Sequence, residues 1–318
     1  MEDPETDVPI LFSSDLCVGQ SLTKAGPAVV ENGNFCVYGS WQKDDATSPI
    51  EVFSAVNVNY EGGSYLYTPL RYWRSGGTYH FCAVYPQDAT CEYGTGAQRL
   101  VVKYSMHSDD YDLMAAKASA SASSHPDKVN LSFGHACAAV RFLFRNGIYD
   151  VEEIGAGVVI PEEEKTKYKL NSFELRNLQT TGVFIYDSED IVIGDWYPAE
   201  ARAESVFSWK ASASSPAFLI PDSYEDYEKD HSEWHYVIPQ TLKPYGSVEP
   251  SVRFSVLIND NPTPVYTTLS LVKNPNIVWQ PGYVYTYQIR IQRSKVEVTM
   301  EVEPWDSYKV AVEDIVFN

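Results

Sequence analysis

The sequence predicts an all-β protein made of two tandem antiparallel β-sandwich domains. Three observations lead to this prediction: many short segments alternate between apolar and polar residues, helical segments are scarce, and one aromatic motif occurs in each half of the chain. Alternation with a period of two places successive side chains on opposite faces of a strand. A chain of 318 residues, of which 44% are hydrophobic and 14% aromatic, can bury a sizeable core.

The clearest strands are predicted near the end of the chain. In residues 295–303, Val296, Val298, Met300 and Val302 alternate with polar residues, and residues 283–292 show the same alternation. A short polar turn joins the two segments, so they predict a hairpin. Short strands between Gly, Pro, Asn and Asp clusters are typical of an antiparallel sandwich. Further strands are predicted at residues 78–85, 100–104, 129–133, 140–144, 183–186, 252–258 and 265–271.

The best helical candidate covers residues 110–123, where the high Ala content favours a short helix that runs into a linker. The Ala and Ser run ends at residues 125–126, and a new strand begins at Val129. This change in composition predicts a domain boundary near residue 125. The expected domains are therefore an N-terminal sandwich at residues 1–125 and a C-terminal sandwich at residues 126–318.

The repeated motif has a Trp, then a Gly three residues later, then two aromatic residues that lie on one face of a strand. The Gly permits the turn before the strand, and the aromatic residues at i and i+2 point into one core. A duplicated sandwich explains this repeat most simply. The two copies are Trp73, Gly76, Tyr79 and Phe81 in the first half, and Trp279, Gly282, Tyr285 and Tyr287 in the second.

The charge of the chain argues against several classes of partner. Its 43 acidic and 24 basic residues give a net charge of −19, which repels nucleic acids and anionic membrane surfaces. The sequence contains no run of 18 or more apolar residues, so no transmembrane helix is predicted. Because residues 1–6 lack the features of a signal peptide, we expect either a cytosolic protein or one whose signal has been removed.

No strong catalytic motif is found, so we predict no enzyme, no catalytic residues and no cofactor. Carboxylate pairs are too abundant in this acidic chain to indicate a glycosidase. His231, Glu233 and His235 would share one face of a strand and could bind a cation, but a solvated loop is the favoured interpretation, and no metal is predicted. Exposed aromatic residues could stack on sugars, although Tyr-rich strands more often fill a core. The candidates are Trp41, Tyr60, Tyr65 and Tyr67.

The chain has five cysteines and no C-x-x-C pair, which argues against a metal knuckle. Most of them lie in apolar segments, where a buried free thiol is more common than a disulfide. Their disulfide state stays open at this stage. They are Cys17, Cys36, Cys82, Cys91 and Cys137.

Four segments, in this order, resemble the fimbrillin and minor-fimbrillin proteins, which are type V pilus subunits and related surface lipoproteins of gut and oral Gram-negative anaerobes. The first is RYWRSGGTYHFCAVYP at residues 71–86, with Arg74 where the family usually has Pro. The others are DLMAA at residues 112–116, the L-x-F-x-H-A pattern within residues 129–144, and W-x-P-G-x-x-Y-x-Y with a later V-E-P-W-D within residues 279–306. VIPQ at residues 237–240 resembles an I-P-Q segment of the family.

This resemblance implies transthyretin-like sandwiches and a structural or adhesive subunit of a cell-surface fimbria, with stalk, tip and anchor positions left open. It also implies export as a lipoprotein to the outer membrane and then the cell surface, with the lipid anchor on the precursor. Its expected partners are other fimbrial subunits, bound through strand addition, with host or bacterial surface glycans or proteins as candidate ligands. The alternative function is a monomeric surface lipoprotein that binds glycans.

In polymerising members of that family, a cut after an Arg removes the first strand, and a strand of the next subunit fills the groove. Residues 8–16 are the candidate first strand here, with Val8, Ile10, Phe12 and Leu16 as its exchanged residues. The expected Arg is absent, because the first Arg of the chain is Arg71. Lys24 is therefore the candidate processing site.

The C-terminal tail is the candidate donor strand. Val310 and Val312 share one alternation phase, whereas Ile315 and Phe317 share the other, so a continuous donor would need a bulge near residue 313 or 314. The alternative is that this tail is the last strand of the chain's own sheet, and the sequence leaves both interpretations open.

Overall fold

The computed structural model describes residues 5–14, 17–23, 26–31, 33–96, 98–106, 111–150, 154–186, 195–199, 201–231, 234–259, 261–293, 295–305 and 315–317. These residues form mainly β-strands, which confirms the all-β prediction. One α-helix, α1 (Tyr224–His231), and two 3₁₀ turns, Ala122–Ser124 and Glu162–Glu164, lie among them. Within this described part, no helix has the length and apolar character needed to cross a membrane.

The strands of the first half of the chain are β1 (Glu5–Pro9), β2 (Phe12–Ser14), β3 (Cys17–Thr23), β4 (Gly26–Glu31), β5 (Phe35–Gln42), β6 (Ile50–Glu61), β7 (Ser64–Leu66), β8 (Tyr72–Arg74), β9 (Thr78–Tyr85), β10 (Cys91–Gly94), β11 (Arg99–Ser105), β12 (Met114–Ser121), β13 (Val129–His135) and β14 (Ala138–Asn146).

The strands of the second half are β15 (Tyr168–Arg176), β16 (Leu178–Gln179), β17 (Thr181–Tyr186), β18 (Asp195–Pro198), β19 (Arg202–Ala203), β20 (Phe207–Lys210), β21 (Phe218–Leu219), β22 (Trp234–Val237), β23 (Gln240–Thr241), β24 (Ser251–Ile258), β25 (Val265–Ser270), β26 (Val278–Trp279), β27 (Tyr283–Ile291), β28 (Val296–Pro304) and β29 (Ile315–Phe317).

The chain divides into two compact units. Unit 1 is Met1–Cys137 with Thr181–Pro198, and unit 2 is Ala138–Thr180 with Ala199–Asn318. Unit 1 takes the β17–β18 hairpin from the second half of the chain because β17 pairs with β11, from Leu100↔Tyr186 to Ser105↔Thr181. The domain boundary that the sequence suggests near residue 125 stays a prediction.

Unit 1 contains a seven-stranded sheet of order β2-β13-β12-β9-β5-β6-β7 and a four-stranded sheet of order β10-β11-β17-β18. One face of the larger sheet carries an aromatic core that includes Phe53, Phe81 and Trp41. On the other face, the ring of Tyr38 lies 5.7 Å from that of Tyr93 in the smaller sheet, at a tilt of 35°. The central strand β5 is therefore buried along most of its length.

The helix predicted at residues 110–123 is wrong, because Met114–Ser121 form strand β12. This strand lies between β9 and β13 and is hydrogen-bonded to both. Its alanines lie opposite large residues of β9, with Ala118 facing Phe81 and Ala120 facing Tyr79. Small side chains fit beside that aromatic row, and the sheet overrides the helix propensity of Ala.

The repeated motif adopts the same local structure in both halves. Gly76 and Gly282 have positive φ angles of 76° and 71°, which a residue with a Cβ adopts only at a cost. In the first copy, the backbone N–H of Arg74 donates to the Tyr79 hydroxyl at 2.8 Å. In the second, the backbone N–H of residue 280 donates to the Tyr285 hydroxyl at 2.7 Å. The shared hydrogen bond supports a duplicated design.

Unit 2 contains a sheet of order β22-β14-β27-β28-β29 and a sheet of order β20-β15-β24-β25, to which β21 adds beside β15. Their aromatic rings meet in one core, where Phe142 lies 5.0 Å from Phe173 and Phe144 lies 5.1 Å from Phe254. The predicted hairpin is present, since β27 and β28 pair from Ile291↔Val296 to Tyr283↔Pro304.

Candidate strand-exchange site

The N-terminal segment of unit 1, residues 5–14, pairs with two different sheets in succession. β1 pairs antiparallel with β8, and β2 then pairs parallel with the edge of β13, with Phe12 opposite Val129. The segment therefore forms two short strands separated by residues 10–11, rather than one strand over residues 8–16. The break occurs where the chain passes from β8 to the edge of the seven-stranded sheet.

Ile10 and Phe12 anchor this segment in the core. Their exposed fractions are 0% and 1%, whereas that of Val8 is 43%. The ring of Phe12 lies 5.5 Å from Phe53, and similar distances join it to two further rings, Tyr67 at 5.7 Å and Phe81 at 5.6 Å. Edge-to-face and tilted contacts of this kind add to the stabilisation from burial.

Few backbone hydrogen bonds hold the stretch between the two strands. The Ile10 N–H donates to the Arg71 carbonyl at 2.8 Å, and the Val129 N–H donates to the Leu11 carbonyl at 2.7 Å. The hydroxyl of Tyr67 donates to the Ile10 carbonyl at 2.7 Å, and burial raises the pKa of this tyrosine. Without the segment, β13 would present an unpaired edge above an aromatic pocket.

The other predicted site residues are placed as follows. Ile315 and Phe317 belong to β29, which pairs antiparallel with β28 through Val298↔Phe317 and Met300↔Ile315. Leu16, Lys24, Val310 and Val312 lie outside the described residues. The exchange role of all these residues stays a prediction.

A buried ionisable group lies at the end of β13. His135 Nδ1 lies 2.5 Å from Asp112 Oδ2, and the two side chains are 8% and 6% exposed. Nearby, Cys137 hydrogen-bonds with Tyr104, and burial raises the pKa of its thiol. A nucleophilic cysteine needs a lowered pKa, so this Cys, His and Asp set has the electrostatics of a structural core. Cys36, Cys82, Cys91 and Cys137, the cysteines with described side chains, are free thiols.

The histidines considered for a metal site are engaged in ring stacking. His231 stacks on Phe218 at 3.8 Å, and His235 stacks on Phe207 at 4.3 Å. Burial lowers the pKa of His235 to about 4. Glu233 lies outside the described residues, and within them no group of three His, Cys, Asp or Glu side chains could hold a metal ion.

The aromatic residues considered for sugar stacking mostly fill the core of unit 1. Trp41 is 1% exposed, and Tyr65 and Tyr67 are each 8% exposed. Tyr60 is partly buried against the same core and lies 5.1 Å from Tyr65. These rings therefore offer little free surface to a ligand.

A family model described as Fimbrillin-like matches residues 23–305. The chain belongs to the fimbrillin-like family. The proteins of this family are structural, which supports the prediction that this fimbrillin-like protein is not an enzyme. No curated protein matches the chain.

Two solved structures, each with a TM-score of 0.51, show the same fold at low sequence identity. A candidate cell adhesion protein from Bacteroides ovatus ATCC 8483 is 15% identical, with a TM-score of 0.51 over 95% of this chain and 98% of that one. Another from Parabacteroides distasonis ATCC 8503 is 10% identical, with a TM-score of 0.51 over 96% and 98%. The tip fimbrial protein Mfa3 from Porphyromonas gingivalis is 9% identical, with a TM-score of 0.42 over 94% and 100%.

Proposed function

We propose that this fimbrillin-like protein is a structural subunit of a cell-surface fimbria and joins its neighbours by exchanging a β-strand. The family supports the fimbrial role. The observation that carries the exchange is that Ile10 and Phe12 are fully buried although they belong to a short segment at a sheet edge. The pocket that each of these side chains fills is its seat. Removal of this segment would leave backbone donors and an apolar pocket unfilled, and a strand of a second subunit would satisfy both.

The C-terminal tail has the residue types that this pocket accepts. The tail sequence Ile315, Val316, Phe317 repeats the pattern Ile, Leu, Phe at residues 10–12. A donor that runs in the same direction as β2 would place Ile315 in the seat of Ile10 and Phe317 in the seat of Phe12. Val316 would then point away from the core, because strand side chains alternate.

In the free subunit, β29 instead pairs with β28 of its own chain. The proposal therefore includes release of this short strand when the tail is donated. Three residues pair in β29, which is a small contact to give up. The two interpretations of the tail thus become two states of one segment.

We also propose that this subunit is located at the cell surface, as its fimbrial function requires. The subunit is exported as a lipoprotein to the outer membrane and then reaches the cell surface, and each unit is a transthyretin-like sandwich. Candidate adhesion ligands are surface glycans or proteins. The alternative, a monomeric glycan-binding lipoprotein, differs in a measurable way because it stays monomeric after the N-terminal segment is cut.

The test replaces residues 24–25 with the recognition sequence of a specific protease, so that one cut separates the N-terminal segment. We expect size-exclusion chromatography and electron microscopy to show concentration-dependent filaments after cleavage, and monomers before it. Deletion of residues 310–318 should abolish the filaments.

A matched pair of variants tests the register. Phe317→Asp places a charge in the proposed Phe12 seat and should block assembly, whereas Val316→Asp should permit it. A cleaved protein that stays monomeric at every concentration would contradict the proposal. Equal effects of the two substitutions would contradict the proposed register.

A further inference from the structure

A groove in unit 2 has the size of a ligand site and lies apart from the exchange segment in the sequence. It encloses about 720 Å³, within the range of roughly 300–1,000 Å³ that is common for small-molecule sites. Its walls come from the end of β15, from β19, from the turn at residues 245–248 and from β25. All these residues belong to unit 2.

The two arginines of the groove differ in their partners. Arg176 is neutralised, because its Nη2 lies 2.5 Å from Glu204 and its Nε lies 3.4 Å from Glu174. Arg202 donates from Nη1 to the carbonyl oxygen of Asn177 at 2.9 Å, and its Nε is buried without a hydrogen-bond partner. Within the described part of the chain, no carboxylate forms an ion pair with Arg202.

Among the described residues, none compensates the positive charge of Arg202, which lies in a partly buried place. Burial lowers the pKa of its guanidinium, and the one opposing influence comes from Tyr245 rather than from a carboxylate. A guanidinium with spare charge and donors binds a carboxylate well, through charge-assisted hydrogen bonds. The groove therefore offers one anion position.

The rest of the groove suits a hydroxylated ring. Tyr245 is 51% exposed and lies 5.5 Å from the guanidinium carbon of Arg202, so an aromatic surface adjoins the anion position. Glu249 Oε2 accepts a hydrogen bond from the Ser270 hydroxyl at 2.7 Å, and Glu204 is 82% exposed. These carboxylates can accept hydrogen bonds from ligand hydroxyls, and they would repel a phosphate more strongly than a carboxylate because of its higher charge.

We propose that this groove binds a sugar that carries a carboxylate, with Arg202 on the carboxylate, Tyr245 against the ring, and Glu249 and Glu204 on the hydroxyls. Sialic acids and uronic acids share this chemistry. The site would give the subunit an adhesive function, and it does not depend on strand exchange.

The test titrates the full, uncut chain with sialyllactose and with tetragalacturonate by isothermal titration calorimetry. Lactose and the methyl-esterified tetragalacturonate are the neutral controls. We expect saturable binding of at least one acidic sugar, with its neutral counterpart roughly tenfold weaker or more. Binding of sialyllactose alone would indicate a sialoglycan, and binding of tetragalacturonate alone would indicate a uronate polymer.

Unit 2 supplies a matched control for the variants. Arg253 lies 5.0 Å over the ring of Tyr266, which is 52% exposed, and neither residue lines the groove. Arg202→Met should weaken binding roughly 10- to 100-fold, whereas Arg253→Met should leave it unchanged. Tyr245→Ala should weaken binding roughly fivefold or more, and Tyr266→Ala should not.

Thermal unfolding of each variant shows that it is folded, and Tyr245→Ala keeps the test valid should Arg202→Met fail to fold. Three results would each overturn the proposal: no saturation by either acidic sugar, equal affinity for acidic and neutral sugars, or equal losses in the groove and control variants. Tighter binding of mannose 6-phosphate than of both carboxylated sugars would also overturn it.

Discussion

Replacement of Phe12 by Ala tests whether the N-terminal segment is held mainly by its side chains. Phe12 is 1% exposed and packs against three aromatic rings at 5.5 to 5.7 Å. Truncation of a buried Phe to Ala costs about 3–5 kcal/mol. A loss of about 3 kcal/mol in the docking of the segment would raise its opening equilibrium roughly 100-fold, because each 1.4 kcal/mol is a factor of ten.

Native-state hydrogen exchange measures this opening directly. The amide N–H groups of Ile10 and Val129 are protected by hydrogen bonds that exist only while the segment is docked. We expect both to exchange roughly 100-fold faster in Phe12→Ala. The amide of Asn146, which donates to the Pro221 carbonyl in unit 2, should exchange at its original rate.

Val8→Ala is the matched control, because Val8 is 43% exposed and its truncation should change stability by less than about 0.5 kcal/mol. Unchanged exchange at Val129 in Phe12→Ala would refute the reasoning. Equal acceleration by the two variants would refute it as well, since Phe12 would then contribute no more to the docking of the segment than an exposed residue does.

Three further predictions concern the core. Asp112→Asn should lower the free energy of unfolding by roughly 3 kcal/mol in urea denaturation, because it breaks the buried pair with His135; a loss below about 1 kcal/mol would contradict this. Gly77→Ala should destabilise the protein by at least about 2 kcal/mol more than Gly63→Ala, as measured by thermal unfolding of both variants. A Cβ at residue 77 would lie 2.2 Å from a backbone carbonyl oxygen, whereas nothing lies within 4 Å of a Cβ at residue 63. Both glycines have a similar positive φ, so the comparison isolates the steric contact. Burial holds the pKa of His235 at about 4, below its ordinary value of about 6.5, so the unfolded chain takes up the proton first and stability should fall as the pH drops from about 6.5 to about 4. The decrease should be smaller in His235→Gln, and an equal decrease in both proteins would show that other groups cause it.

The strands that could be predicted are those whose pattern is local. The hairpin of β27 and β28 alternates along most of its length, and its polar turn fixes the register, so the sequence specifies it without the rest of the protein. The aromatic motif at Trp73 and Trp279 was also visible, since its Gly and Tyr positions make a local turn with a local hydrogen bond. Local turns and hydrogen bonds of this kind form whatever the arrangement of the sheets.

Other elements depend on partners that are distant in the sequence. β12 is a strand because β9 and β13 flank it, and its Ala content alone favours a helix. The paired residues of β17 and β11 lie 76 to 86 positions apart in the sequence, from Ser105↔Thr181 to Leu100↔Tyr186, and no pattern in either strand specifies that choice. The groove in unit 2 was missed for the same reason, because Arg176, Arg202 and Tyr245 meet only in the folded unit.

The candidate exchange site depends both on a local sequence pattern and on partners that are distant in the sequence. Alternation identifies Ile10 and Phe12 as apolar partners on one strand face, and the structure adds that Val8 lies outside the core. Among the described side chains of residues 8–14, Ile10 and Phe12 therefore carry the attachment. Burial of an Ile and a Phe contributes roughly 3–6 kcal/mol together, which a donor with the same two residues at the same spacing can replace. The tail of the chain carries that pair as Ile315 and Phe317. In the proposed assembly, cleavage after the first segment would make the pocket available to a tail from another subunit, so assembly would require the cut.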